Sequence, residues 1–579
     1  MVARSASVAD PRWSPSGRRL GWTVAHDGRA DVVVAPADGS GPPVVVTADT
    51  GVGGGWCFAS DDELVVAGAD GRLHAVPAAG GPPRPLTHEG RAAAPAVSAR
   101  GEVAFVCERP QACDVAVVPL DGSQWPRRVS AADYAWDPAW SPDGRLLAWH
   151  EWDLPAMPWD GSRIVVRDAD GRAAPVAGGA DVAVGQPRFS PRGDRLAYVC
   201  DADGWATVWT CTPDGGDAAP VLREACEHAE PAWGPGQRSY AWSPAGDALA
   251  WCRNESGFGR LVVAPPGARS ARELSKGWHR GIDWGAAGIA CVRSGAVTPP
   301  QVVVLAANGS ARRVVARGPV GGFEAAGLVE PRAVSWRSGT ADVHGLLYRP
   351  AGRPSPPLLV HVHGGPTGQA LADWNARVQW FVSRGWAVLA PNARGSTGHG
   401  RAYTQALAGR WGDRDVADVA AGVRHALKEG WGDPRRVVVM GGSAGGMTAL
   451  LLAARHPDLV HAVITPYPVT DLLDLAATTH RFESGYHLRL VGPLPDARDR
   501  YVERSPLTHA DAIRAPVLVL HGDRDTSVRP EQSAALAARL GAACERVVYP
   551  GEGHGWRRAA TLLDELTRIE AFCARWLPG

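Results

Sequence analysis

The sequence predicts two unlike folds in series: a seven-bladed β-propeller over residues 1–322, then an α/β domain with a doubly wound, mostly parallel sheet over 323–579. Three observations carry this reading. A phrase of the form D-P-x-W-S-P-x-G recurs through the first half at blade-like spacing. Apolar strand runs alternate with helical segments through the second. One stretch there, Arg436 to Leu450 (RVVVMGGSAGGMTAL), sets a β-branched run against a glycine-rich turn and a small-residue helix.

The phrase first appears at Asp10–Gly17 (DPRWSPSG) and returns at Asp137–Gly144, at Gln186–Gly193 and around Trp242. Weaker copies lie near Trp56, Ala96 and Trp284, so seven copies follow one another at roughly 40 to 53 residues. Each reads as a strand, an S-P-x-G turn, a second strand and a further hairpin closing on a D-G pair such as Asp38-Gly39 or Asp170-Gly171. Four short strands per copy make one blade, and a blade buries its faces only against neighbours. The Trp-Ser-Pro residues therefore read as scaffold.

Near Phe323 the pattern changes, to an opening hairpin from Ala333 and then strand–helix alternation. The strands, such as Leu358–Val362 and Val437–Met440, are apolar without alternation, which fits a parallel sheet covered on both faces. Sites on such sheets lie at the strand carboxyl ends, where the glycine-rich turns fall here.

Composition narrows the function. A chain of 579 residues with 45% hydrophobic and 21% charged residues is globular and exceeds one ordinary domain. Lys+Arg and Asp+Glu are both 60, so no nucleic-acid or membrane-surface partner is expected. There is no apolar leader and no membrane-length apolar run, and the ten cysteines show no C-x-x-C spacing. They read as reduced core thiols of a cytoplasmic protein, and no cofactor or metal is expected.

In Gly441-Gly442-Ser443-Ala444-Gly445 the strand, sharp turn and helix give the G-x-S-x-G pattern its required setting. A serine becomes nucleophilic when a base takes its proton and a carboxylate orients that base. Two later turns supply both: HGDRDTSV (521–528) and GEGHG (551–555). His554, between two glycines, is the expected base. Asp525 is preferred to Asp523, which reads as a turn carboxylate. The order Ser443, Asp525, His554 is that of α/β-hydrolases. The Ala444 N–H and one from His363-Gly364-Gly365-Pro366, at Gly365, are expected to form an oxyanion hole.

The propeller together with HGGP (363–366), NARGSTGHG (392–400), WGDRDVADV (411–419), GGSAGG (441–446), HGDRDTSV and GEGHG resembles the prolyl oligopeptidase family, in its acylaminoacyl-peptidase and dipeptidyl-peptidase branch. The resemblance implies a Ser443–His554–Asp525 serine peptidase acting on short peptides, with the propeller as a size filter. A carboxylesterase with the same triad, or a propeller-based binding protein with a vestigial hydrolase, are the alternatives. A homo-oligomer is left open.

Three departures stand out. Where oligopeptidase and acylpeptidase members carry an arginine two places after the aspartate, this chain has Ser527, with Arg524 and Arg529 as weak substitutes. His363 stands where other branches have tyrosine. No convincing glutamate pair is found among Glu108, Glu151, Glu227 and Glu230. His363, Phe482, Glu483, Tyr486 and Val528 are the candidate pocket residues; Phe482 and Tyr486, four apart, are expected on one helix face, and Arg394 is expected to pair with a carboxylate such as Asp415.

Overall fold

The computed structural model describes residues 7–318 and 327–578. They divide into two compact units, 7–295 with 299–318, and 327–578 with 296–298. The boundary expected at 322/323 falls outside the described residues.

Among the described residues the first unit contains strands and turns only. Five separate four-stranded sheets occupy 7–45, 55–85, 184–220, 240–276 and 278–317, and one eight-stranded sheet occupies 91–179. The expected seven separate blades are therefore five plus this wide sheet. Its halves are fused by one parallel bridge, Cys113 to Tyr134. Away from that bridge they pack face to face: Ala104, Val115 and Val117 of one half meet Ala135, Leu147 and Trp149 of the other.

The repeated phrase explains how the sheets assemble. Asp10, Asp137 and Gln186, each before a proline, have φ of 47°, 55° and 56°, and the strand register shifts at each. Such a bulge re-aims the residues that follow it. The tryptophans of the phrase reach back to earlier strands: Trp140 Nε1 donates to Ala96 O (3.2 Å) in the other half of the eight-stranded sheet, and Trp242 Nε1 to Arg188 O (3.1 Å) in the sheet before its own. Trp13 Nε1 donates to Gly288 O (3.1 Å), and Val8, Trp13, Leu20 and Trp22 pack on Ala290, Val302 and Val304. The first and last sheets thus close the propeller by side-chain packing. In the turn after each tryptophan the serine hydroxyl accepts a backbone N–H, as Ser141 Oγ does from Leu146 (2.9 Å). Residues 229–238 reach sheets that are not adjacent in the ring: Gly236 N–H donates to Asp137 Oδ1 (2.6 Å), and Arg238 Nη2 to Asp10 Oδ1 (2.8 Å).

The second unit is one eight-stranded sheet. Its strands are β1 (Arg332–Ser338), β2 (Ala341–Tyr348), β3 (Leu358–Val362), β4 (Ala387–Asn392), β5 (Val437–Gly441), β6 (Ala462–Pro466), β7 (Val517–Gly522) and β8 (Cys544–Tyr549). The order is β1-β2-β4-β3-β5-β6-β7-β8; β2 is antiparallel to both its neighbours, and β1 runs in the same direction as the other strands. Its main helices are α1 (Ala376–Ser383), α2 (Arg414–Lys428), α3 (Ala444–Arg455), α4 (Pro530–Leu540) and α5 (Ala559–Trp576). Every residue of α3 from Ala444 to Ala454 is buried. A helix apolar on all sides must be enclosed, and this one holds the turn before it rigidly. Between α3 and α4 the chain forms short helical pieces, Leu472–Thr478, Arg481–Glu483 and Tyr486–Leu490 among them.

Candidate active site

The site grows from the turn between β5 and α3. Ser443 has φ 55° and ψ −126°, so the strained residue is the serine itself. The glycines around it make room: a Cβ on Gly441 would lie 2.4 Å from Gly445 O, and one on Gly445 2.5 Å from Val362 O. Gly445 thereby lets α3 start directly against the end of β3, where the His363–Pro366 turn begins.

The carboxylate and imidazole arrive from the ends of β7 and β8. His554 Nδ1 lies 2.7 Å from Asp525 Oδ2, while Asp525 Oδ1 accepts the N–H groups of Ser527 (2.9 Å) and Val528 (3.0 Å). Burial of Asp525 opposes its ionisation, but hydrogen bonds from His521 and His554 prevail and hold it well below the usual carboxylate range. Asp523 plays a different part: its Oδ1 accepts Gly551 N–H (2.6 Å) and ties the β7 turn to the His554 loop.

Tyr467, after β6, joins the two halves of the site. Its ring centroid is 4.5 Å from that of His554, and a Cβ on Gly442 would lie 2.9 Å from its Cε2. Among the described residues no hydrogen bond joins the Ser443 hydroxyl to the imidazole; such bonds are commonly long until substrate tightens them. Two donors face the same place. Gly365 (φ 119°) and Ala444 line a pocket with Ser443, and among the described bonds neither N–H has an acceptor.

That pocket is also lined by Glu483, Tyr486 and Val528, so three of the five expected wall residues meet there. His363 does not line it. His363 bonds Ser396 Oγ through Nε2 (2.8 Å) and the Gly364 carbonyl through Nδ1 (2.8 Å), clamping the turn to the 392–400 loop. Phe482 does not line it either. Phe482 and Tyr486 do not share a helix: Phe482 is on the Arg481–Glu483 turn and Tyr486 opens the next helix, because Ser484-Gly485 interrupts the run. The Tyr486 hydroxyl instead meets Thr367 N (3.1 Å) and Oγ1 (2.5 Å), bracing the turn that carries Gly365. Arg394 pairs with Asp418 rather than Asp415, through Nε to Oδ2 (2.9 Å) and Nη2 to Oδ1 (2.6 Å). Asp415 is occupied by Gly412 N–H and the Thr448 hydroxyl. Arg524 and Arg529 are exposed and line no part of this pocket.

Sequence reasoning missed Tyr467 and His521. Buried His521 Nε2 lies 2.9 Å from Val528 O and 3.4 Å from Asp525 Oδ2, supporting the carboxylate from behind. Its place four residues before Asp525 was the available signal. Away from this site, Glu224, Cys226 and His228 cluster closely enough to suggest a metal. His228 Nδ1 accepts Val208 N–H (3.1 Å), which leaves its Nε2–H facing Glu224 (2.7 Å), and Arg253 also pairs with Glu224. Neither ring nitrogen offers a lone pair to a cation, so the residues do not fit one.

A sequence model of the prolyl oligopeptidase family matches residues 372–579. A solved puromycin hydrolase is 31% identical, aligning over 99% of this chain and 95% of its own, with a TM-score of 0.90. This chain belongs to the prolyl oligopeptidase family. A puromycin-hydrolyzing peptidase of Mycobacterium tuberculosis is similar over the whole chain at 29% identity, with a TM-score of 0.91 over 95% of that structure. Among curated relatives, dipeptidyl aminopeptidase BIII of Pseudoxanthomonas mexicana is 32% identical over 38% of this chain, and the acylamino-acid-releasing enzyme of Mus musculus 31% over 37%. These matches span about a third of each curated relative, 34% and 31% of its length. Among the described residues no helix is long and apolar enough to cross a membrane.

Proposed function

We propose that the chain is a serine peptidase that hydrolyses short peptides near their N-terminus through an acyl-enzyme. The observation that carries this is the pairing of His554 with buried Asp525, 2.7 Å apart, on loops beside the strained Ser443 turn. In this reading Ser443 attacks the carbonyl, His554 takes its proton and returns it to the leaving amine, and Asp525 fixes the imidazole tautomer. The N–H groups of Gly365 and Ala444 stabilise the tetrahedral oxyanion. The relatives named dipeptidyl aminopeptidase, acylamino-acid-releasing enzyme and puromycin hydrolase support an amide substrate. The test is turnover of aminoacyl, acetyl-aminoacyl and dipeptidyl arylamides and of puromycin, alongside the matching esters. Esters cleaved with negligible amide cleavage would make the chain a carboxylesterase instead.

Three finer points belong to the same proposal. The eight-stranded sheet acts as two blades, giving seven, which the apolar packing between its halves supports. The propeller limits substrate length; a flat rate across peptides of rising length would refute this. The protein is cytoplasmic, which its ten free cysteines support.

A further inference from the structure

The segments that carry Ser443, Asp525 and His554 meet at Tyr467, in the turn after β6. Ser443 N–H donates to Pro466 O (3.3 Å) and Val469 N–H to Ser443 O (3.3 Å), so this turn is bonded to the backbone of Ser443 on both sides of Tyr467. Tyr467 N–H donates to Leu520 O (2.7 Å), near the end of the strand that leads to Asp525. Its φ of 39° is uncommon for so bulky a residue and is held by these bonds. The ring is thereby aimed between Gly442, whose missing Cβ gives it room, and the imidazole of His554, with centroids 4.5 Å apart and planes at 51°. Trp556 backs the ring edge-on at 5.3 Å, and Tyr549 backs Trp556 at 5.0 Å.

His554 needs this support. Its side chain is 28% exposed, and its Nδ1 is held by one bond, to Asp525 Oδ2. One hydrogen bond leaves a ring free to swivel about it, and Gly553 and Gly555 carry no side chains to stop that motion. Among the described residues Tyr467 is the one aromatic ring packed on the imidazole. A tilted ring at this separation is a favourable contact and restrains the plane of its partner. The ring alone makes that contact. Among the described residues the Tyr467 hydroxyl makes no hydrogen bond, and burial raises the phenol above its ordinary value, so it stays protonated at neutral pH and offers no second base. Tyr467 does not line the pocket shared by Gly365, Ser443 and Ala444. Building on the reading of Ser443 as nucleophile and His554 as base, we propose that Tyr467 is a positioning residue: its ring holds the imidazole so that Nε2 faces the Ser443 hydroxyl, which sets the rate of acyl transfer and not the binding of substrate.

The experiment measures kcat and KM on an aminoacyl arylamide, and the rate at which a neutral fluorophosphonate labels Ser443, in the full chain and in Tyr467→Leu, Tyr467→Phe, His554→Ala and the double variant Tyr467→Leu/His554→Ala. Leucine keeps apolar bulk but no flat face, so Tyr467→Leu should lower kcat and the labelling rate about 10- to 100-fold, as misplacing a base by about 1 Å does, with KM within about threefold of wild type. Tyr467→Phe restores the face and should return kcat to within about threefold of wild type. In the His554→Ala background the leucine change should alter the residual rate by less than about twofold, because the group it positions is gone. Thermal melting checks the fold of each variant, and Tyr467→Met, more pliable in the same space, takes the place of a leucine variant that does not fold. Wild-type kcat in Tyr467→Leu, a loss mainly in KM, a phenylalanine variant as slow as the leucine one, or an undiminished leucine effect without His554 each overturns the proposal. A wild type that fails to label, or His554→Ala labelling at the wild-type rate, instead overturns the triad assignment itself, and this inference with it.

Discussion

Replacing Asp525 by asparagine changes one atom's hydrogen-bonding character, and the geometry dictates which way the new amide points. Asp525 Oδ1 accepts two backbone N–H groups, from Ser527 and Val528, so the asparagine oxygen must occupy that position. The NH2 group is then forced into the place of Oδ2, against His554 Nδ1 at 2.7 Å. A donor there stabilises the tautomer with Nδ1 as acceptor, which puts the ring proton on Nε2 and leaves that atom unable to take the proton of Ser443. In the proposed mechanism the lost step is the general base, so kcat should fall about 10⁴-fold, equivalent to about 5.5 kcal/mol of barrier. The assay is turnover of an aminoacyl arylamide at pH 7, with circular dichroism and thermal melting as checks on the fold. Asp523→Asn is the matched control: its acceptor serves Gly551 N–H, which an amide oxygen still accepts, so activity should stay within about threefold of wild type. Asp525→Asn retaining more than a tenth of wild-type kcat, or Asp523→Asn showing the larger loss, would refute the tautomer argument.

Three further outcomes follow from other parts of the molecule. Gly445→Ala puts a Cβ 2.5 Å from Val362 O and 2.6 Å from His363 O, both backbone, so the turn carrying Gly365 must shift; fluorophosphonate labelling of Ser443 should drop at least about 100-fold, or the protein should fail to fold. Arg394→Ala leaves the fully buried Asp418 carboxylate without its guanidinium, and urea denaturation should show a loss of about 3–5 kcal/mol. In the propeller, burial raises Asp137 from its ordinary 3.8 to about 6, against the opposing Gly236 N–H and Arg188. A raised folded-state value means that its stabilising contribution is complete below about pH 3.8 and is lost as pH rises through 6, about 3 kcal/mol in all. Asp137→Asn keeps the acceptor for Gly236, so the first unit should be more stable than wild type at pH 7, with a flatter stability profile between pH 4 and 7. An unchanged profile would show that Asp137 does not titrate in that range.

Much of the fold and of the site's chemistry is written in local patterns. Helix α4 begins on Pro530 and stops at Gly541, as those residue types favour, and the apolar run after Ser443 forms α3 because a fully apolar run of that length has few other ways to bury itself. The propeller is legible in its repeat, since a bulge before proline recurs at Asp10, Asp137 and Gln186, and the tryptophans at 13, 140 and 242 bond back to other strands of the ring. The residues proposed as nucleophile, base and orienting carboxylate, Ser443, His554 and Asp525, stand out for the same reason: each sits in a turn set by its own few neighbours.

What the sequence left open was decided by which groups meet across the fold. Phe482 and Tyr486 have helical spacing, yet a two-residue break separates them, and the tyrosine hydroxyl goes to Thr367 more than a hundred positions away. Arg394 could not be assigned to Asp418 over Asp415, because one turn of α2 presents both acids and only packing against Thr448 and Gly412 takes Asp415 out of reach. Fusion of two sheets through Cys113 and Tyr134 depends on a single bridge that leaves no mark on the repeat. Local sequence fixed which elements form, because helix caps, turns and strand periodicity act over a few residues. Partner choice among equivalent carboxylates, rings and hydroxyls rests on distances of about 3 Å between segments far apart in the chain, and only the tertiary structure sets those.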